Sequence, residues 1–507
     1  MIAPNSKNAN SLSESPAGRM WFFAAASGLV FALAISRTSF WIDEVYTALA
    51  AQQPTLDALW REQLSGKGSN LQAPLYMIWI WGCGKIFGTS EVALRGVNLF
   101  WFVPGMLALM WSLARHRSLQ LAAFLVAVLS PFAWYYLNEA RPYAMQIGTS
   151  LVIFASLFRL ALNQDEPSRE RLWVAGLCGG ALLLSAGSML AMLWLGAYLG
   201  AAMLSAPKGR LHGLAKSYWP WWVSTGLLLF MLGLYYLWTL SVGARAAKLI
   251  PANPKNVLFI AFELFGFSGL GPGRNDIRAG QWTVFLPWLP GLAIYAGVVL
   301  VVLAAGCRSL VVSISRRTLL CWSLTFASVL GFILAVGMMT RFRVLGRHCA
   351  PLLPLVLFVL GSGIAALLKR RDRVGWLVVA AFVGLSLFSC LSLRFGERHA
   401  KDDFRGAVAM AREALARGET VWWNANSEGA ILYHLPLTER PVKPGMAVIV
   451  ASPEKGFDHD LPKPDLVLTS KPDLCDRNGA VADYLNRAGF RPTASFAAFT
   501  AWRAAGK

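Results

Sequence analysis

Long apolar runs recur along most of the chain, and they constrain its fold more than any other feature. A helix needs about 20 apolar residues to cross the hydrocarbon core of a bilayer. Because the chain is 56% hydrophobic and only 15% charged, we predict an α-helical polytopic membrane protein with about 11 transmembrane helices. The predicted spans are Met20–Ile35, Val92–Leu113, Leu119–Tyr136, Tyr143–Leu162, Leu172–Leu184, Met189–Leu204, Trp221–Leu240, Val284–Ala304, Leu319–Met339, Ala350–Leu368 and Val374–Leu393.

Basic residues on the short loops between these runs predict the orientation. The basic clusters lie around Arg115, Lys208, Arg316 and Lys369. They fall on alternate loops, and loops rich in Lys and Arg face the cytoplasm. The polar tail 1–19 is therefore expected to be a disordered cytoplasmic segment, and everything after Leu393 to lie on the outer side.

Three outer segments are longer than simple connectors, namely loops 36–91 and 241–283 and the tail 394–507. In the tail, amphipathic stretches alternate with short β-branched and aromatic runs such as "ETVWWNA" and "DLVLTS". This pattern predicts a C-terminal soluble α/β domain that follows a membrane domain over residues 20–393.

The semi-apolar segment Ala73–Gly88 leaves two interpretations open. It is short for a span and contains Lys85, which favours a helix lying at the membrane interface. A further membrane crossing is the alternative, although it would invert the orientation of every later loop.

The formal net charge of +20 does not indicate a nucleic-acid partner. The tail 394–507 is nearly balanced in charge, so the basic excess lies in the membrane part, where topology and anionic headgroups account for much of it. Cys475 is the only cysteine of the tail, which excludes a disulfide framework there.

Two adjacent carboxylates, Asp43 and Glu44, follow the first apolar run within a few residues. A carboxylate at headgroup depth can act as a general base, and we expect the low dielectric to raise the pKa of Asp43. The alternative is that acidic residues simply mark the end of a span.

A second charged cluster, "YYLNEARPYAMQ", contains Glu139 and Arg141 in a turn between two predicted spans. The turn is too short to need charges for solubility. Its charges indicate either a site or a local ion pair that caps two helix ends.

The segment "MTRFRVLGRHCAP" gathers Arg341, Arg343, Arg347 and His348 at the outer end of a span. Positive charge there opposes the inside bias and requires an anionic partner. A phosphate suits the planar fork of arginine, and bulk anionic headgroups are the alternative.

The glycine-rich stretch "GFSGLGPGRNDIRAG" contains Arg274 and Arg278. Glycines let backbone N–H groups approach an anion closely. An ordinary outer loop has the same composition, so this stretch alone is a weak indication of a site.

Four stretches together resemble the polytopic C-type (GT-C) glycosyltransferases that use lipid-linked sugars. These include the bacterial aminoarabinose and galacturonic acid transferases and, more distantly, the protein O-mannosyltransferases. The stretches are "WIDEVYTALA", "APLYMIWIWGCGKIFGTSEVALRGVNLF", "SPFAWYYLNEARPYAMQ" and "GRHCAPLLPLVLFVLG".

The resemblance implies an inverting glycosyltransferase of the bacterial inner membrane, with a sugar on a polyprenyl phosphate as the donor and a glycan, lipid or protein as the acceptor. It implies that Asp43 is the catalytic aspartate, with Glu44 as its neighbour, that Glu139 and Arg141 belong to the second-loop site motif, and that Arg347 and His348 belong to a late basic segment. With Arg341 and Arg343 added from the charge pattern, we predict catalytic roles for Asp43, Glu44 and Glu139, and binding of the donor phosphate by Arg141, Arg341, Arg343, Arg347 and His348. The substrate loops would contain Gln72, Tyr76, Tyr143, Arg274 and Arg278.

The chain departs from the resemblance at "LQAPLYM", where Gln72, Ala73 and Pro74 replace a His or Lys followed by two prolines. No cofactor is expected, and a divalent metal is possible at Asp43, Glu44 and Glu139 but not required. A lipid flippase or transporter and an inactive scaffold that binds lipid-linked intermediates remain as alternative functions.

Overall fold

The computed structural model describes residues 16–65, 69–162, 169–242, 251–280, 283–439, 443–450 and 461–504. Most of the described residues are helical. The helices of the membrane part are α1 Pro16–Ala34, α2 Ile42–Gln52, α3 Leu56–Leu64, α4 Pro74–Phe87, α5 Glu91–Gly96, α6 Leu99–Ser112, α7 Arg117–Val128, α8 Pro131–Leu137, α9 Tyr143–Leu157, α10 Glu170–Gly187, α11 Ala191–Ser205, α12 Lys208–Ser217, α13 Trp219–Ser241, α14 Lys255–Leu264, α15 Arg274–Gly280, α16 Leu289–Ser313, α17 Arg316–Thr340, α18 Leu353–Arg370 and α19 Arg373–Phe395.

Within the described residues, 8 helical segments are long and apolar enough to cross a membrane, or up to 9 with one bent pair. They contain α1, α5–α6, α9, α13, α16, α17, α18 and α19. The 15-residue helix α11 is apolar but shorter. Many side chains that point away from the bundle are large and apolar, such as Trp21, Phe230 and Met339, as a lipid-facing surface requires. The polytopic helical class is confirmed, and the protein is a multi-pass membrane protein.

The predicted span Leu119–Tyr136 is broken in two. α7 and α8 meet at an angle of 51°, and Pro131 begins α8 with Ser130 as its N-cap. Proline has no N–H to continue the helical ladder and clashes with the preceding turn, so the break falls where the sequence contains it.

The segment Ala73–Gly88 forms the 14-residue helix α4. At 1.5 Å per residue such a helix is about 21 Å long, too short for a hydrocarbon core of about 30 Å. Tyr76 and Ile80 are buried, and α4 packs on α2. This geometry agrees with the interfacial interpretation.

The predicted disordered tail 1–19 is wrong at its last four residues. α1 begins at Pro16, so residues 16–19 are helical rather than part of a disordered tail. Residues 1–15 lie outside the described residues.

The tail contains a six-stranded sheet in the order β2-β3-β1-β4-β6-β5. Its strands are β1 Val421–Asn424, β2 Leu437–Thr438, β3 Ala447–Ile449, β4 Leu466–Ser470, β5 Phe490–Phe496 and β6 Phe499–Ala504. Its helices are α20 Phe404–Ala416, α21 Ser427–Leu432, α22 Pro472–Cys475 and α23 Ala480–Arg487. The first four strands of the order are parallel, and the β5–β6 hairpin adds two antiparallel strands. The predicted α/β class of this tail is confirmed.

The tail and the membrane part share a hydrophobic core. One buried cluster joins Phe40 and Val45 near the start of α2 with Phe404, Trp423 and Phe499 of the tail. Burial of this surface fixes α2 between the bundle and the sheet. The division of the chain at residues 393 and 394 stays a prediction, since packing crosses it.

Candidate active site around Asp43

The helix α2 places its two acidic residues in its first turn. Trp41 is the N-cap, and its backbone N–H donates to Glu44 at 3.3 Å. Because successive side chains on a helix point about 100° apart, Asp43 and Glu44 face different surroundings.

Glu44 is enclosed by partners and has no exposed surface. It accepts hydrogen bonds from Arg95 Nε at 2.8 Å, Arg95 Nη2 at 2.7 Å and the Ala140 N–H at 2.7 Å. Lys401 Nζ lies 3.3 Å away. Burial alone would raise the pKa of Glu44, but Arg95, Lys401 and these hydrogen bonds hold it at about 2. Glu44 is therefore an ionised anchor that ties α2 to α5 and to the tail.

Asp43 is the accessible carboxylate of the pair, with 30% of its side chain exposed. Its Oδ2 lies 2.8 Å from Arg347 Nη1. Burial would raise the pKa of Asp43, but the charges of Arg347, Arg141 and Lys471 outweigh it and hold the pKa below its usual range. The sequence-based expectation of a raised pKa is wrong, because nearby cations dominate over desolvation.

Arg141 lies beneath Asp43 and is buried. Its Nη1 donates to the Asp43 carbonyl at 3.2 Å, to Thr47 Oγ1 at 3.1 Å and to Asn70 Oδ1 at 2.8 Å. Tyr143 lies beside Arg141. The turn "NEARPY" thus brings its arginine to the start of α2.

Arg347 lies on the 3-10 helix Gly346–Leu352 that precedes α18. The Gly346 N–H donates to Glu263 at 2.8 Å, and the Leu345 N–H donates to His348 Nδ1 at 2.9 Å. His348 therefore uses one ring nitrogen to hold its own segment. These contacts fix the backbone that presents Arg347.

Glu263 of α14 organises a second cluster next to Arg347. It is buried and accepts from Gly346, from Tyr136 and from Arg274, whose guanidinium stacks on the Tyr135 ring at 3.8 Å. The charge of Arg274 is therefore neutralised by Glu263. Arg278, the second arginine of the predicted glycine-rich anion loop, contacts the tail instead. That contact joins Arg278 Nε to Asp473 at 2.6 Å.

Glu139 is fully buried, and neither of its carboxylate oxygens has a hydrogen-bond partner among the described residues. Burial raises its pKa against the opposing charges of Lys401, Arg274 and Arg347. Lys401, between Glu44 and Glu139, has a pKa lowered to about 8 by burial.

Other buried polar atoms near Asp43 also lack partners within the described part of the chain. They are Trp41 Nε1, Tyr76 OH, Arg141 Nε and Arg347 Nε. Unpaired buried polar groups are costly and require an explanation. Together with Glu139 they offer several donors and two acceptors beside one accessible carboxylate.

The tail contributes charges to this site. Lys471, at the start of α22, pairs with Asp402, and the Ile42 N–H donates to the same Asp402 carboxylate at 3.4 Å. Lys471 Nζ and the Arg347 guanidinium each lie 6.0 Å from the Trp41 ring centroid. Positive charge from the tail therefore reaches the edge of the Asp43 site.

Three other predicted site residues are Arg341, Arg343 and Gln72, and for the two arginines the structure shows no contact with the Asp43 side chain among the described residues. Arg341 is exposed and caps α17 in a left-handed conformation, with no described contact to Asp43. Arg343 has an exposed side chain, and partial desolvation with the charges of Arg278 and Arg347 lowers its pKa. The carbonyl of Gln72 accepts from the Met189 N–H at 2.9 Å.

Sequence reasoning missed Arg95, Glu263, Lys401 and Lys471. Arg95 gave a readable signal, because it is a lone charge at the start of an apolar run. Lys401 and Lys471 could not be found, since their partners Glu44 and Asp402 lie far away along the chain. Glu263 is only 11 residues from its partner Arg274, but its contact with Gly346 joins segments 83 residues apart. Among the described residues, no group of three His, Cys, Asp or Glu side chains is arranged to hold a metal ion.

Comparison with solved structures identifies the fold of the chain. The crystal structure of ArnT from Cupriavidus metallidurans in the apo state matches with a TM-score of 0.53 and 12% identity, over 96% of this chain and 98% of that one. The chain has a GT-C-like polytopic glycosyltransferase fold. At this identity the likeness shows the fold alone. A second ArnT structure, bound to undecaprenyl phosphate, matches with a TM-score of 0.48 over the same shares of both chains. Neither a protein-family model nor a curated protein sequence matches the chain.

Proposed function

We propose that the protein is an inverting glycosyltransferase that moves a sugar from a polyprenyl phosphate to an acceptor hydroxyl. The observation that carries this proposal is the difference in surroundings between two adjacent carboxylates at the start of α2. Glu44 is enclosed and anchors the helix, whereas Asp43 is accessible and paired with Arg347 at 2.8 Å. The ArnT-like fold supports the same class of reaction.

In the proposed reaction, the Asp43 carboxylate takes the proton of the acceptor hydroxyl. The acceptor oxygen forms a bond to the anomeric carbon on the face opposite the phosphate. The bond from that carbon to the phosphate oxygen breaks, and polyprenyl phosphate leaves with the electron pair. Attack from the opposite face inverts the configuration.

Arg347 and Arg141 suit the leaving phosphate, since pre-organised cations stabilise charge that develops in the transition state. Donor binding would also prepare the base. Arg347 lowers the pKa of Asp43 in the free protein, so sharing Arg347 with a phosphate would make Asp43 a stronger base when the donor is present.

The unpartnered polar atoms support a sugar as the group that is transferred. Glu139 can only accept hydrogen bonds while it is ionised, and Trp41 Nε1 only donates. Sugar hydroxyls do both, so one sugar ring can satisfy both kinds of atom. We assign Glu139 to the donor sugar and include no metal in the steps.

The proposed setting is a bacterial inner membrane, with the Asp43 end of the bundle and the tail on the outer face. The acceptor is a glycan, lipid or protein hydroxyl. Nucleic acid is not a proposed partner, because the basic excess of the sequence lies in the membrane part.

The test is sugar transfer in membranes from a panel of radiolabelled polyprenyl-phosphate sugars, comparing wild type with Asp43→Asn. Asp57→Asn is the matched control, because Asp57 is an exposed acidic residue on the neighbouring helix α3. Both variants must be inserted at the wild-type level.

Loss of transfer in Asp43→Asn, with transfer retained in the control, would support Asp43 as the base. Equal transfer by wild type and Asp43→Asn would exclude that role. No transfer by wild type from any donor of the panel, with added outer-membrane and cell-wall acceptors, would contradict the proposed donor class.

A further inference from the structure

A groove of about 650 Å³ is lined by none of the residues that carry the unpartnered polar atoms around Asp43. It forms where the end of α1 and the loop after it meet the corner between α5 and α6 and the last turn of α19. Most of its lining is apolar, with Ala32, Ile35, Val92 and Leu99 among the lining residues.

Two arginines, Arg37 and Arg394, also line this groove. Arg37 is exposed. Arg394 donates from Nε to the Leu33 carbonyl at 2.9 Å. Within the described ranges, no carboxylate pairs with either guanidinium, in contrast to Arg95, Arg274, Arg278 and Arg347, which all have acidic partners.

Arg95 separates the groove from the Asp43 site. Gly96, its neighbour on α5, lines the groove, while the Arg95 side chain turns inward to Glu44 and to the Thr38 carbonyl at 2.7 Å. The charge of Arg95 is neutralised by Glu44, and the charges of Arg37 and Arg394 are not. The groove therefore presents uncompensated positive charge beside an apolar surface.

The groove lies at the depth of lipid headgroups. α1 ends at Ala34 and α19 at Phe395, so Arg37 and Arg394 stand at the ends of two membrane spans, while Ala32 and Leu99 lie within spans. An arginine fork at this depth binds phosphate oxygens, and the apolar wall below it suits a hydrocarbon chain.

We infer that this groove is a binding site for one anionic phospholipid of the surrounding bilayer, whose phosphate lies between Arg37 and Arg394 and whose acyl chain lies against Ala32, Ile35 and Leu99. The site is separate from the proposed donor site and does not depend on the proposed function. The lipid would pack against α5, the helix that holds Glu44 through Arg95.

Native mass spectrometry of the purified full chain tests the inference. The probes are phosphatidylglycerol and phosphatidylcholine with the same acyl chains, added separately at equal concentrations, and undecaprenyl phosphate in a third arm. The test variant is Arg37→Gln with Arg394→Gln. The matched control is Arg308→Gln with Arg373→Gln, two exposed arginines at the opposite end of the bundle, the second on the same helix α19.

We expect wild type and control to retain phosphatidylglycerol in preference to phosphatidylcholine. The test variant should bind phosphatidylglycerol at least about tenfold more weakly, since loss of even one charge-assisted hydrogen bond produces that change and the variant removes two arginines. Equal retention of phosphatidylglycerol by the test variant and wild type would overturn the inference. So would equal retention of both phospholipids by wild type. A loss confined to undecaprenyl phosphate would also overturn it and assign the groove to the polyprenyl lipid.

Discussion

Arg95 holds Glu44 with two nitrogens, Nε at 2.8 Å from one carboxylate oxygen and Nη2 at 2.7 Å from the other, and neither side chain is exposed. This fork joins α5 to the first turn of α2. It leaves Asp43, the residue just before Glu44, as the accessible acidic side chain of the pair. Glu44 is therefore a structural residue, and Asp43 is the carboxylate to which the proposed chemistry belongs.

Glu44→Gln should destabilise the protein by about 3 kcal/mol at neutral pH, because it leaves buried Arg95 and Lys401 without their carboxylate. The pKa of Glu44 is lowered from 4.5 to about 2, so its stabilisation is complete above pH 4.5 and is lost as the pH falls towards 2. The difference between wild type and variant should shrink over that range. Thermal unfolding in detergent measures it, with exposed Glu413→Gln as the control. A difference that does not change with pH would contradict the ionised fork.

Arg347→Gln should lower kcat/KM for transfer by about 10²- to 10³-fold, the usual effect of removing one group that stabilises transition-state charge. Arg347 lowers the pKa of Asp43, so its removal raises that pKa and moves the acidic limb of the pH–rate profile to higher pH. Arg412→Gln, an exposed change on α20, is the control. A reduced rate with an unmoved acidic limb would separate Arg347 from the ionisation of Asp43.

Lys471→Gln should raise KM for the donor more than it lowers kcat. Lys471 contributes positive charge to the Asp43 site from the tail and is the partner of Asp402. Steady-state kinetics in proteoliposomes measure the effect, and Lys463→Gln is the exposed control. Kinetics identical to wild type would show that the tail supplies no charge used in donor binding.

Gly346→Ala should reduce both stability and transfer. A Cβ at this position would collide with the Glu263 carboxylate, and either Glu263 or the segment that presents Arg347 must then move. Gly331→Ala, on α17 with open space around the added methyl group, should have a small effect. Wild-type unfolding and transfer in Gly346→Ala would mean that Glu263 does not position Arg347.

The sequence supported the polytopic class, the α/β tail and the neighbourhood of Asp43, because apolar runs, strand-like segments and a lone acidic pair are local signals. It could not show which partner holds each of Asp43 and Glu44, since Arg347 and Arg95 lie 304 and 51 residues away along the chain. The predicted direction of the Asp43 pKa shift was wrong for the same reason, because the cations that lower this pKa are distant along the chain. Pro131 is a sequence signal for the break between α7 and α8, but the long apolar run on both sides of it favoured a single span.

The ion partners of Asp43 come from widely separated parts of the chain, Arg141 98 residues later and Arg347 304 residues later, with Lys471 nearer still to the C-terminus. A chain still emerging from the ribosome holds Asp43 without these cations. Its site therefore forms only after the last span is inserted and the tail has folded against α2. A truncated or half-made copy would lack the cations that hold the pKa of Asp43 below its usual range.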